Sequence, residues 1–360
     1  MIENKKDQLR HIVIKGYKSI KDCKLNLKKI NVFIGSNGAG KSNFLSAFTL
    51  LNHVIDNSLT YYGEKKGGNS FFYNGTKTTD SIWMQFWFND DDFSFGLEMS
   101  EHNRLILSSK SGESTLNIDS VYDTVQNTPA ELKDENHRPS ITNQQWCVYH
   151  FHDTSSTSKI KQEGNLCNSK NLLQDASNLA AFLYRLQEHY PFEFKNILEA
   201  VRLVAPYFKG FELAPREANR ELIELLWQQK DWTDILYASQ LSDGTLRFIC
   251  LATLLLQPTK LQPATIIIDE PELGLHPFAI AIFAEMVKKA AVNKQIILAT
   301  QSVELLNQFN AEDVVVVDRS EDGSKFKRLD PPALADWLED GYSLGELWNK
   351  NILGGRLSRC

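Results

Sequence analysis

Eight residues restrict this chain more than any others: Gly35-Ser36-Asn37-Gly38-Ala39-Gly40-Lys41-Ser42. The run satisfies the pattern G-x-x-x-x-G-K-[ST], and its setting supports the match. Before it, Asn31-Val32-Phe33-Ile34 is an apolar stretch that reads as a buried strand. After it, Phe44, Leu45, Phe48 and Leu51 recur at helical spacing. Strand, glycine loop and helix together form a phosphate cradle: glycines let backbone N–H groups close around an anion, and the helix N-terminus adds partial positive charge. The expected cradle comprises Gly35, Asn37, Gly38, Ala39, Gly40, Lys41, Ser42 and Asn43, with Lys41 reaching the β- and γ-phosphates and the Ser42 hydroxyl holding Mg²⁺. The plain alternative is a glycine turn feeding an ordinary helix. The context favours a nucleoside triphosphate site.

A chain of 360 residues is long enough for one large α/β core or two lobes. The richest apolar run, Phe248 to Leu256, is half the length of a bilayer span, and the first residues lack the apolar core of a secretion signal. Cys23, Cys147, Cys167, Cys250 and Cys360 are scattered with no CxxC, so neither a disulfide framework nor a zinc site is suggested, and a cytoplasmic location is expected. The net charge of −6 is unevenly spread: the first thirty residues hold nine Lys/Arg and three acids. This basic edge either meets nucleic acid phosphates or coats the wet face of two edge strands.

Residues 10 to 160 are strand-rich apart from the helix after the glycine loop; Ile82, Met84, Phe86 and Phe88 alternate with Trp83, Gln85 and Trp87. Phe93 to Met99, Arg104 to Leu107 and Trp146 to Phe151 read as further strands, and Tyr61 to Ser70 as a loop. The polar stretch Thr154 to Lys170 marks a lobe boundary. From Asn171 to Lys230 the pattern is helical, with Leu179, Phe182, Leu183 and Leu186 on one face. Beyond Gln240, strands and helices alternate again, which implies a parallel sheet with the nucleotide at the strand C-termini. The expected division is therefore 1–155 and 241–360 as one α/β lobe, interrupted by a helical lobe over 156–240.

Thr265-Ile266-Ile267-Ile268-Asp269-Glu270 is an apolar strand ending in two acids. Asp269 is placed to enter the Mg²⁺ shell and Glu270 to polarise the attacking water, the alternative being a helix N-cap pair. Leu241-Ser242-Asp243-Gly244-Thr245 precedes a buried helix. Together these segments resemble the ABC-type ATPases, whose signature is LSGGQ. That resemblance implies a head-to-tail homodimer around two ATPs, in which Ser242 and Gly244 meet the γ-phosphate bound by the opposite protomer. Ile14-Lys15-Gly16-Tyr17-Lys18-Ser19-Ile20, Gly40-Lys41-Ser42-Asn43-Phe44-Leu45 and Asp269-Glu270-Pro271-Glu272-Leu273-Gly274-Leu275-His276-Pro277 look like the RecF/SMC/OLD-like branch. The similarity to short bacterial RecF-like predicted ATPases runs nearly end to end, including Tyr149-His150-Phe151-His152-Asp153-Thr154-Ser155 and Leu344-Gly345-Glu346-Leu347-Trp348. It implies ATP hydrolysis beside a separately encoded nuclease or toxin in phage defence, and no residues are left over for a nuclease domain on this chain.

Two departures from the family pattern stand out. Ala299-Thr300-Gln301-Ser302 lacks the switch histidine; Gln301 can donate to a γ-phosphate but carries no proton. His276 sits where a D-loop aspartate is expected. His150 and His152 share a face if the strand continues through them, and with Asp153 could bind a metal. The resemblance instead implies γ-phosphate sensing or lobe coupling there, and a plain structural role is the third reading. At the level of function two expectations stand: a sensor ATPase controlling a nuclease or toxin, or a DNA-repair or clamp ATPase acting directly on DNA through the basic edge.

Overall fold

The structure, a computed structural model, describes residues 8–88, 92–102, 104–108 and 146–355. Lys5 and Lys6 of the basic edge and Cys360 lie outside them. The N-terminal part contributes β1 (His11–Tyr17), β2 (Ile20–Asn26), β3 (Ile30–Ile34), β4 (Ser81–Trp87), β5 (Asp92–Met99), β6 (Leu105–Leu107) and β7 (Trp146–Tyr149). The middle part holds β8 (Gly164–Asn165), β9 (Phe208–Glu212), β10 (Leu222–Ile223), β11 (Leu226–Gln229) and β12 (Ile235–Tyr237). The last part adds β13 (Thr265–Asp269), β14 (Gln295–Thr300), β15 (Val314–Ser320) and β16 (Gly323–Arg328).

Two sheets enclose the helix Lys41–Ile55. The first is antiparallel, in the order β2-β1-β4-β5-β6. The second runs β16-β15-β3-β14-β13-β7 and is parallel except at its β15–β16 pair. Its central strands are apolar on both faces because both faces are covered. Phe33, Ile267, Ile297 and Val315 face the cluster containing Phe44, Phe48, Met84 and Phe86. Their sequence neighbours Val32, Ile266, Ile268 and Val316 face the cluster formed with helices Asp243–Leu256 and Pro277–Ala290. The strand order brings the C-terminal ends of β3, β13 and β14 side by side, and every expected catalytic residue follows one of them.

The middle part departs from the helical expectation. Helix Leu179–His189 carries the predicted stripe and Pro191–Val204 is a second helix, but β9, β11 and β12 form the antiparallel sheet β12-β11-β9. Aromatic packing explains it: Phe208 stacks on Trp227 with ring centroids 5.9 Å apart, and Tyr207 meets the same indole edge-on. The expected loop at 61–70 is instead the helix Leu59–Lys66 followed by a short turn of 3₁₀ helix. Its Gly63 lets the backbone lie against Leu105, which a Cβ would approach to 2.9 Å. β7 ends at Tyr149, so His150 and Phe151 lie beyond the strand.

Of the two strands bearing the basic edge, only β2 is an edge strand; β1 is paired on both sides. Lys21 pairs with Asp322 and Lys28 with Glu312, while Lys29 donates to the Val292 carbonyl and Lys18 to the Ser46 hydroxyl. Most of the described basic edge is thus engaged within the chain. Among the described residues, no helix is long and apolar enough to cross a membrane.

Candidate functional site

The glycine loop leaves β3 at Gly35 and enters its helix at Lys41. Asn37 and Gly38 are exposed at the apex, and Ala39 and Gly40 are buried. Gly40 adopts φ +117, and a Cβ there would lie 2.1 Å from Ser324 Oγ and 2.9 Å from Ser19 Oγ, so only glycine fits. Ser324 Oγ donates to the Ala39 carbonyl at 2.6 Å, and Asn43 Nδ2 donates to Ser19 Oγ at 2.8 Å, which fixes the loop from behind.

Lys41 is 5 % exposed and its ammonium donates to the carbonyls of Gly35 (2.7 Å) and Ser36 (3.1 Å). Burial lowers its pKa, opposed by the carboxylates of Glu270, Asp269 and Glu272. The ammonium thus lies between two carbonyls of the glycine loop and three acids. Ser42 stands exposed at the start of the helix, on the wall of a cavity of about 380 Å³ also lined by Lys18, Ser46, Lys66 and His150.

β13 is buried throughout and delivers Asp269, whose Oδ1 is buried with no hydrogen-bond partner among the described residues. An orphaned carboxylate oxygen is costly unless something binds it. Together with the Ser42 hydroxyl it forms the hard oxygen donor set that Mg²⁺ prefers, so these residues fit the ion. Glu270 follows in a left-handed conformation (φ 44), its N–H bonded to the Ala299 carbonyl at 2.8 Å. Left-handed backbone in a non-glycine residue is strained by about 1 kcal/mol or more and tends to occur at functional sites. The Glu270 Oε1 accepts from Gln301 Nε2 at 2.6 Å. The structure therefore brings together Lys41, Ser42, Asp269, Glu270 and Gln301.

Ser242 and Gly244 sit elsewhere, at the start of the helix Asp243–Leu256. Ser242 Oγ accepts from the Thr245 N–H at 3.1 Å, an N-cap bond that satisfies one free donor of the first turn. Thr245 Oγ1 lies 2.9 Å from Tyr207 OH, and Asp243 pairs with Lys161 at 3.1 Å. Gly244 is required by close approach: a Cβ would lie 2.4 Å from the Gly274 carbonyl. Ser242 and Asp243 remain exposed.

Sequence reasoning passed over the residue that ties these parts together. Arg247, 6 % exposed, donates to the carbonyls of Phe151 (2.9 Å), His152 (3.0 Å) and Leu273, and to Thr154 Oγ1 at 3.4 Å. A lone guanidinium in the otherwise apolar run Leu246–Leu256 was the signal available, since buried charges are kept only when paired. His152 Nε2 donates to the Asp269 carbonyl at 2.9 Å, so the segment after β7 touches both the acidic strand and the signature helix. Among the described residues no group of three or more His, Cys, Asp or Glu is arranged to hold a metal. His276 caps the helix Pro277–Ala290 by accepting the Phe278 N–H at 3.2 Å.

Fold and site together are those of a P-loop NTPase, and the fold is that of the ABC-type heads of SMC proteins. The profile of the family described as "AAA domain, putative AbiEii toxin, Type IV TA system" matches residues 30–307, and the chain belongs to that family, AAA_21. Among solved structures it is similar to an SMC head bound to the C-winged helix domain of ScpA, with a TM-score of 0.62 at 14% identity, covering 91% of this chain and 99% of that one. A Pyrococcus furiosus SMC head with an extended coiled coil, bound to the C-terminal domain of ScpA, gives 0.60 at 14% identity over 92% and 98% of the two chains. A Pyrococcus yayanosii SMC head with coiled coil and joint gives 0.56 at 11% identity over 92% and 99%. At such identities the likeness is one of fold. No curated protein matches the chain.

Proposed function

We propose that this chain hydrolyses ATP at the interface of a head-to-tail homodimer and, through that cycle, controls a separately encoded nuclease or toxin in anti-phage defence. The observation that carries the reading is the contact of Glu270 with Gln301 beside Lys41, at strand ends facing the glycine loop. Lys41 exchanges its carbonyl contacts for the β- and γ-phosphates. Glu270 takes a proton from the attacking water, while Gln301 orients its carboxylate and donates toward the γ-phosphate. Mg²⁺, held by Ser42 and Asp269, would neutralise charge on the phosphates. Residues 1–155 and 241–360 would form the ATPase lobe and 156–240 the inserted lobe, with the signature Leu241–Thr245 at the start of the returning part and reaching the second protomer's site.

Dimerisation is supported by the exposure of Ser242 and Asp243, whose helix start is held on its own chain by Tyr207 at Thr245 and by Gly274 at Gly244. The ATP clamped by one protomer would then be completed by Ser242 and Gly244 of the other, and larger assemblies could be built on that dimer. A link to toxin–antitoxin pairs is supported by the family's description, which names a putative AbiEii toxin and a type IV toxin–antitoxin system. That ScpA domains sit on the similar SMC heads favours a protein partner in general. The second reading, direct action on DNA, is favoured by Lys15 and Lys24, exposed on β1 and β2.

Complementation between mutants tests the interface. Ser242→Arg should bind ATP yet neither dimerise nor hydrolyse. Mixed with Lys41→Ala it should recover one working site per heterodimer, made of the intact P-loop of one protein and the intact signature of the other. Wild-type hydrolysis by Ser242→Arg alone would remove the composite site.

A further inference from the structure

We propose that Glu272 is the positioning residue of this site: it fixes the backbone of the switch so that the Gln301 amide meets Glu270. The inference rests on the hydrolytic reading of Glu270 and Gln301 given above.

A glutamine side chain has three free torsions, so where its amide points depends on how firmly its backbone is held. The turn after β13 holds it. Glu272 Oε1 accepts from Thr300 Oγ1 at 2.6 Å and from the Gln301 N–H at 3.2 Å. From the same residue, Gln301 Nε2 donates back to Glu270 Oε1 at 2.6 Å. Ser302 adds a further tie, its N–H donating to Thr300 Oγ1 at 2.9 Å. A closed circuit, Glu272 to the Gln301 backbone, along its side chain to Glu270, and back through Pro271, joins the tips of two adjacent parallel strands.

Stability alone gives a weak reason for an acid here. Burial raises the pKa of Glu272, and its Oε2 is buried without a hydrogen-bond partner. An unpartnered buried carboxylate oxygen is a cost that an apolar side chain would avoid. What the carboxylate provides is a single oxygen, Oε1, that accepts from both Thr300 and Gln301, the residue that stands in place of a switch histidine.

The test uses the full chain and five variants. Glu272→Ala should lower kcat for ATP about tenfold or more while leaving KM within about threefold, because its acceptor acts through geometry and not through substrate. Glu272→Gln keeps an oxygen at the Oε1 position and should stay within about threefold of wild type. If Glu272 acts only through Gln301, the double variant Glu272→Ala/Gln301→Ala should be no slower than Gln301→Ala alone. Amide hydrogen exchange over residues 299–303, without nucleotide, should quicken about tenfold in Glu272→Ala and stay near wild type in Glu272→Gln. Thr300→Val, which removes the other donor to the carboxylate, should quicken the same exchange and serves if Glu272→Ala does not fold. Unchanged kcat in Glu272→Ala, additive losses in the double variant, or unchanged exchange would each overturn the assignment. A wild-type protein that fails to hydrolyse ATP would instead sink the hydrolytic reading, and the exchange result would still decide whether Glu272 holds the switch.

Discussion

Replacing Arg247 by Met keeps the aliphatic stem and removes the guanidinium. Three backbone carbonyls, those of Phe151, His152 and Leu273, then lose their donor in a region where Arg247 itself is only 6 % exposed. Each buried acceptor left unsatisfied costs about 1–3 kcal/mol, less where water reaches it. Against this, the cost of desolvating the charge, which lowers the Arg247 pKa, is relieved. The balance should be a loss of about 3–5 kcal/mol, the range for breaking a buried charged network. Arg247→Lys should recover less than half, because a single ammonium cannot reproduce a planar fork spanning two segments. Urea denaturation followed by fluorescence of the seven tryptophans measures both variants. A loss under about 1 kcal/mol in Arg247→Met, or full rescue by Lys, would refute the reasoning.

Three shorter predictions accompany it. Lys41→Ala removes the charge facing the β- and γ-phosphates and should weaken ATP binding at least about tenfold by calorimetry; unchanged affinity would contradict the P-loop assignment. Glu270→Gln cannot accept a proton and should lower hydrolysis by about 10² or more with ATP still bound, trapping dimers of doubled mass in light scattering. Unaltered turnover would exclude Glu270 as the base. Burial, reinforced by Lys66, lowers the Lys18 pKa from 10.5 to about 8, so its charge costs stability below that pH, and the cost fades as pH rises toward 10.5. Lys18→Met should therefore raise the melting temperature by about 2 °C or more at pH 7 and have little effect near pH 10.5; an equal gain at both values would exclude charge burial as the cause.

The phosphate loop, its flanking strand and helix, and the acidic strand were legible because local letters determine them: glycines at fixed offsets, and apolar runs whose length separates strand from helix. The convergence of Lys41, Ser42, Asp269, Glu270 and Gln301 followed from parallel-strand topology, which places such residues at one sheet edge. What escaped depends on contacts between distant residues. Phe208 and Trp227 make a sheet out of segments, such as Phe208–Glu212, whose alternation is broken by Gly210. Leu59–Lys66 is helical because it packs on β6, against the propensity of Gly63. Arg247 and Glu272 carry their roles only through partners tens of residues away. The pairing within the basic N-terminal edge was hidden for a related reason, since the acids that pair with Lys21 and Lys28 stand at Asp322 and Glu312.

The knot of hydroxyls behind the glycine loop also has a consequence for biosynthesis. Ser324, on β16, bonds to both Ser19 and Ala39, and Gly40 is shaped to lie against it. A nascent chain that has exposed the entire glycine loop still lacks its backing until some three hundred further residues have been translated. The fully backed glycine loop thus waits for β16, and nucleotide recognition is not in place until that strand has been made and has folded back.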